Sequence, residues 1–366
     1  MAEKFLFSDP SLCLKKGQQS LALFAVTISL HSSAQTTLFA DAQSLSSAGQ
    51  LRASHWMSES LQPSSQTHWM AYHMDMGLTY AKNDWELELA KTRQGYLVGN
   101  GNALLLAAQD DAGMEINLST PGRFSINAQT WVIDAYRLKF LYKFNLSDGL
   151  DFKVEPYLLQ IQDYQHARGE LTLLNETATN QLYGQLNRVG TRRYGYLMQD
   201  QPDAGWGMGL NLKWMWLSPV GRLETGIQNA FSQLKFSTLH YSDRQYQVQA
   251  QGGQIKVSDI PSLTGIYGLR EQRESLPIVW QLLLSPTDFP GVRLGVVSMK
   301  NQERLFFKYE RGLDKGRWWV QTVQADNWSA GLMWSFFHQL ELGMAVSTTD
   351  QLRSPVLTSL QARMTW

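Results

Sequence analysis

The charged residues of this 366-residue chain fall at every second position in several segments, and that spacing limits the chemistry open to them. Arg137, Lys139 and Lys143 alternate with apolar neighbours, and Asp151, Lys153 and Glu155 do so a few residues later. Asp75, Lys213, Arg222, Glu224, Glu341 and Arg363 sit in runs of the same kind, as do Glu86, Glu88, Arg293, Arg304, Lys308 and Glu310. Residues two apart share one face of a strand, so each run presents a charged face. Such faces can pair across strands or line a water-filled passage. The two signs are nearly balanced, which suits paired charges or a weakly selective passage; a selective pore is lined by one sign. His73 and Asp75 share a face two residues apart, but no nucleophile stands beside them. His68, His73, His166, His240 and His338 are scattered without metal-ligand spacing. The chain is therefore expected to be no enzyme and to carry no metal or cofactor. Arg168, Arg188, Arg192 and Arg193 form a cluster suited to phosphate groups or to ordinary loop charge.

The elements that must position these residues are strands. Met70, Tyr72, Met74, Met76, Leu78 and Tyr80 lie on one face of 68–81, opposite Ala71, His73, Asp75, Gly77 and Thr79. Tyr136 through Leu146 alternates likewise, turns at Ser147-Asp148-Gly149, and resumes with Leu150, Phe152, Val154, Pro156 and Leu158. A tight Asp-Gly between two such runs is a hairpin signal. Trp206 to Trp216, Leu223 to Phe231, Trp328 to Trp334 and Leu340 to Val346 repeat the pattern.

Composition narrows the class. Charged residues are 17% of the chain, against about a quarter in soluble domains. Thirteen tryptophans, 43% hydrophobic residues and equal totals of 32 cationic and 32 acidic residues complete the picture. Such a chain is too apolar to be disordered and lacks the basic excess of a nucleic-acid binder. One cysteine makes neither an internal disulfide nor a thiolate zinc site. The longest apolar run, Leu21–Leu30, is too short for a spanning helix. Lys15 and Lys16 before it and Ser32, Ser33 and Ala34 after it have the order of a secretory signal peptide at 1–34. The extra residues ahead of Lys15 read as a long n-region or a misplaced start codon, and a buried N-terminal helix is the competing reading.

Few charges, no spanning helix and recurrent alternation fit a transmembrane antiparallel up-and-down β-barrel of 12–16 strands over 68–366. A soluble β-sandwich would alternate too. The barrel is preferred because the apolar faces are almost unbroken and place aromatics near strand ends: Tyr80, Trp85, Trp206, Trp216, Trp328 and Trp334. The connections at 147–149, 218–221, 285–290, 312–315 and 337–339 are short, as expected on the periplasmic side. The long ones, at about 165–204 and 235–275, are expected outside, and the alternating Tyr246, Val248 and Ala250 of the second imply strands that extend past the membrane there. Residues 35–67 are read as an N-terminal arm, a lumen plug, or one extra hairpin starting at Leu38-Phe39.

The chain ends on Val356, Thr358, Leu360, Ala362, Met364 and Trp366 along one face. This resembles the C-terminal signature of Gram-negative outer-membrane β-barrels, an alternating last strand ending in Phe or Trp. The resemblance implies an outer-membrane location, contact with lipid and lipopolysaccharide, and a last strand (Leu360, Ala362, Met364, Trp366) read by the barrel-assembly machinery. It implies no nucleic-acid partner. The function expected is a passive channel or structural barrel with a mixed-charge lumen. The size is similar to a solitary autotransporter-like translocator barrel, which would need 35–67 to supply a lumen helix. A lipid- or polysaccharide-modifying enzyme is the third reading.

Overall fold

The computed structural model describes residues 35–46, 67–103, 122–175, 179–191, 205–251, 262–300, 302–323, 327–337, 340–349 and 356–365. Sixteen strands run through them: β1 (Gln35–Ser46), β2 (Thr67–Lys82), β3 (Trp85–Asn100), β4 (Gly122–Ser147), β5 (Leu150–Asn175), β6 (Thr179–Gly190), β7 (Gly205–Ser218), β8 (Gly221–Gln251), β9 (Ser262–Glu274), β10 (Val279–Pro286), β11 (Val292–Met299), β12 (Gln302–Leu313), β13 (Gly316–Val323), β14 (Asn327–Phe337), β15 (Leu340–Thr349) and β16 (Val356–Thr365). Every pairing is antiparallel.

Fourteen of these strands close a barrel in the order β1 to β5, β7, β8, β10 to β16, with β16 returning to β1 through Thr37 opposite Thr365 and Ala40 opposite Ala362. Closure leaves no strand edge in the wall, the condition for a sheet to sit in lipid. The remaining two strands stand above the ring. β5 pairs β7 along Leu150–Ile161 and then β6 along Gln165–Asn175. The upper part of β8 pairs β6 and β9. A five-stranded sheet, β4-β5-β6-β8-β9, therefore rises from one sector of the rim. Its strands β4 and β5 have 26 residues each and β8 has 31, where a tilted crossing needs about 9–11. Much of the chain expected as long connections at 165–204 and 235–275 is this raised sheet, because alternation continues past the membrane. Between Asp134 and Ala135 the register with β5 shifts. Below that point the odd residues of β5 face inward, and above it the even ones do, as an inserted residue requires.

The connections at 83–84, 148–149, 219–220, 287–291 and 314–315 lie on one rim, with the start of β1 and the end of β16, while the short link between Met299 and Gln302 lies on the other. Asn83-Asp84 joins β2 to β3, with Asn83 at φ 54, and Asp148-Gly149 joins β4 to β5, with Gly149 at φ 85. Positive φ at these positions is what two-residue hairpins demand.

The outward face is apolar. Leu38, Met74, Leu87, Leu89, Leu138, Phe140, Leu158, Leu282, Leu294, Leu332, Leu342, Leu360 and Met364 are exposed around the barrel. A soluble monomer rarely shows a contiguous apolar patch above a few hundred Å², so the solvent of this band is lipid. Near the short-turn rim, rings touch in series: Tyr80 with Trp85, Trp85 with Phe140, Tyr142 with Phe144, Phe144 with Phe152, and Phe152 with Trp214. These form an interfacial girdle.

One expectation changes. Gln35–Ser46 is the first strand of the wall, paired on both sides, not an arm or plug. Its outward Leu38 and inward Asp41 carry the same alternation as the other strands, and it supplies the neighbour that β16 needs for closure. The rest of that segment, 47–66, lies outside the described residues, as do 1–34, read above as a signal peptide, and Trp366.

Candidate functional site: the barrel interior

All twelve charges singled out from the sequence point inward. Most of those on the arc from β2 to β10 are held by one another. Lys139 and Glu88 are cross-strand neighbours, and their Nζ and Oε2 atoms stand 2.7 Å apart. Arg137 lies opposite Ala90 in the register, and Ala90 lies opposite Gly77. These small residues let the guanidinium span β3. Its Nη2 reaches Asp75 Oδ2 at 2.6 Å and Glu88 Oε1 at 2.7 Å. Glu155, 2% exposed, receives Lys213 at 2.7 Å. Lys143 meets Asp151 at 3.1 Å and Arg222 meets Glu224 at 2.6 Å. Lys153 stands opposite Lys143 and Lys213 in the register. Within the ring this arc carries six inward cations (Arg137, Lys139, Lys143, Lys153, Lys213, Arg222) and six carboxylates (Asp75, Glu86, Glu88, Asp151, Glu155, Glu224) among the described residues.

Above these charges, toward the long-connection rim, the same arc is packed with apolar side chains. Tyr96, Trp131, Ile133, Tyr157, Leu159, Ile161, Tyr164, Leu234, Phe236, Val279, Val297 and Met299 form one buried cluster inside the barrel. Asn229, at φ 54, ties it together. It accepts from Tyr157 Oη at 2.7 Å and donates to Tyr96 Oη at 3.2 Å and to the Pro277 carbonyl at 3.0 Å. Its own N–H donates to Asn211 Oδ1 at 2.9 Å. Around the wall β3 and β8 are separated by β4, β5 and β7, so the bond to Tyr96 crosses the interior. Sequence reasoning missed this layer. Its signal was present: Trp131, Ile133, Tyr157, Leu159 and Ile161 occupy inward parity with no charge among them.

The packed region is bounded where β12 approaches β2. Arg304 Nη2 donates to the Thr67 carbonyl at 2.7 Å, although β13 to β16 and β1 separate these strands around the wall. Lys300 also lies 4.8 Å from the centre of the Trp131 ring. The remaining arc, β13 to β16 with β1, holds a small cluster of Trp319, Met333 and Ala345. Trp319 lies flat on Gly331, where a Cβ would come 2.2 Å from the ring. Flat rings over glycine keep bulk against the wall.

The second arc, from β11 through β16 to β1, has unequal charge. Five inward cations (Arg293, Arg304, Lys308, Arg317, Arg363) face three carboxylates (Asp41, Glu310, Glu341) among the described residues. Glu341 lies opposite Arg363. The balance expected for the whole lumen therefore holds on one arc and fails on the other.

The other candidates are dispersed. Asp75 beside His73 is committed to Arg137. Arg168 lies opposite Asn187 and Arg188 opposite Ala167, so the two arginines take opposite faces of the raised sheet. Arg168 pairs with Glu170. Arg192 and Arg193 lie outside the described residues, as does His338.

Fold and interior together define a membrane-spanning β-barrel. No family model and no curated protein matches the chain. Among solved structures it is similar to the P. putida toluene transporter TodX, with TM-score 0.40 and 10% identity, covering 92% of this chain and 89% of that one. It is also similar to the siderophore receptor PirA from Pseudomonas aeruginosa, with TM-score 0.21 and 8% identity over 91% and 80% of the two chains. The outer membrane protein opdK from Pseudomonas aeruginosa gives TM-score 0.14 and 10% identity over 92% and 100%. Likenesses at these scores assign this chain neither a family nor a cargo.

Proposed function

We propose that the protein is a passive channel of a Gram-negative outer membrane. One observation carries the reading. A closed fourteen-stranded wall with an apolar outer band encloses an interior whose second arc is lined by polar and charged groups. Eight strands give an interior that wall side chains can fill, while sixteen to eighteen leave an aqueous channel. Fourteen strands with one arc packed leave the other arc as the route. The translocator reading would have to draw its lumen helix from outside Gln35–Ser46, which is wall. The enzyme reading has no support in the His73–Asp75 pair, whose carboxylate is taken by Arg137. The outward row Leu360, Ala362 and Met364 on the closing strand suits recognition by the assembly machinery, and the apolar band suits the lipid of that membrane.

Planar-bilayer conductance of the purified, refolded barrel tests the proposal. Discrete single-channel steps are expected. A folded, inserted barrel that stays silent overturns it.

A further inference from the structure

On the second arc, near the short-turn rim, three cationic side chains surround one carboxylate. Lys308 Nζ is 2.6 Å from Glu310 Oε2, and Arg317 Nη1 is 3.0 Å from Glu310 Oε1. Arg293 stands opposite Lys308 in the register, and its field acts on the same carboxylate. Arg293 has no ion-pair partner of its own among the described residues. Lys308 also lies 5.3 Å from the centre of the Trp319 ring, which fixes the ammonium at the wall.

The placement follows from the strands. Glu310 and Lys308 are two apart on β12, and Arg317 is one rung nearer the turn on β13. Arg293 begins β11 just after its turn. All four therefore lie within two same-face steps along β12, on one side of the interior. The Arg317 side chain is 47% exposed, so water reaches this edge of the group, while Lys308 and Glu310 are 20% and 17% exposed. The cluster differs from the Arg137–Asp75–Glu88–Lys139 group, where two cations meet two carboxylates and both arginine and glutamate are buried.

We infer that Arg293, Lys308 and Arg317 around Glu310 form an anion-attracting constriction that gives the channel a preference for small anions. Three cations against one carboxylate leave two uncompensated positive charges beside the only arc whose lining is unbalanced among the described residues. A ring or cluster of one sign in a narrow passage selects ions of the other. The inference rests on the channel reading.

The test is the reversal potential of the refolded barrel in a planar bilayer under a KCl gradient at low ionic strength, where screening is weakest. Chloride preference is expected. Lys308→Met should lower the chloride-to-potassium permeability ratio about tenfold, because one unit charge about 6 Å away in water acts about threefold on each ion and in opposite senses. Glu310→Gln should raise the ratio by a similar factor. Lys143→Met, on the balanced arc, should leave it unchanged. A wild-type barrel that prefers potassium or neither ion overturns the inference, as does a ratio unmoved by Lys308→Met and Glu310→Gln. An equal shift from Lys143→Met also overturns it, since the preference would then belong to the whole lumen. In those cases conductance survives and the channel reading stands. Absence of conductance in the inserted wild-type barrel removes both.

Discussion

The two arcs of this barrel share one wall and one alternation, yet they use charge differently. From β2 to β10 the inward charges are equal in number and most of them meet in close pairs beneath a packed apolar layer. From β11 round to β1 a smaller apolar cluster shares the lining with charges that reach water in part, and cations outnumber carboxylates among the described residues. Burial explains the pairing of the Arg137 group, whose side chains are at most 16% exposed, whereas Lys213 and Arg222 on the same arc are 46% exposed. A charge removed from water is tolerated only when paired and hydrogen-bonded. Charges that remain hydrated are free of that demand, so an excess of one sign can persist and act on a passing ion.

The contrast can be broken most strongly at Arg137. Arg137→Met leaves Asp75 and Glu88 without their guanidinium, and a loss of about 3–5 kcal/mol is expected from an uncompensated buried charge. Urea unfolding in detergent or lipid, followed by the gel shift of the heat-modifiable band, reads it. Ion selectivity of any surviving barrel should be unchanged. The neighbouring residue faces the other way: Leu138 is exposed on the outer band. Leu138→Arg places a cation in lipid and should cost about 2–4 kcal/mol near the bilayer midplane, measured as loss of folding into vesicles. One step along β4 thus reverses the requirement from obligatory charge to obligatory apolarity.

Smaller effects sharpen the packing side of the comparison. Gly331→Val drives a side chain into Trp319 and should cost about 1–3 kcal/mol by overpacking, with a shift in tryptophan emission. Tyr157→Phe removes the 2.7 Å bond to Asn229 in the packed layer and should cost about 1 kcal/mol. Arg317→Gln should be smallest in stability, within about 0.5 kcal/mol for a well-exposed ion pair, while still lowering chloride preference. A large destabilisation there would mean the second arc is packed like the first.

Much of the wall was legible because strand alternation is local. The Asp148-Gly149 turn, the outward row Tyr136, Leu138, Phe140, Tyr142 and Phe144, and the inward Arg137, Lys139 and Lys143 all follow from neighbours in the chain. The first strand was harder. Leu38 and Asp41 alternate over only twelve residues beside a Ser- and Gln-rich stretch, and only pairing with both β2 and β16 marks them as wall. β6 and β9 were illegible as a raised sheet, since a strand above the ring alternates like one within it.

By itself the sequence determined the class of structure and the face on which each charge sits, because period-two patterning and turn chemistry act over a few residues. It also determined the lipid-facing composition, because every outward position must be apolar on its own account. Only the tertiary structure decided which charges meet. Arg137 and Asp75 are 62 residues apart, and Tyr96 and Asn229 are 133 apart. Their contact depends on register summed around several strands and on an interior drawn together where Arg304 reaches Thr67. A total of equal signs along the chain could not reveal that the balance is kept on one arc and broken on the other. Pairing is a property of distance in space, and closure of the barrel sets that distance.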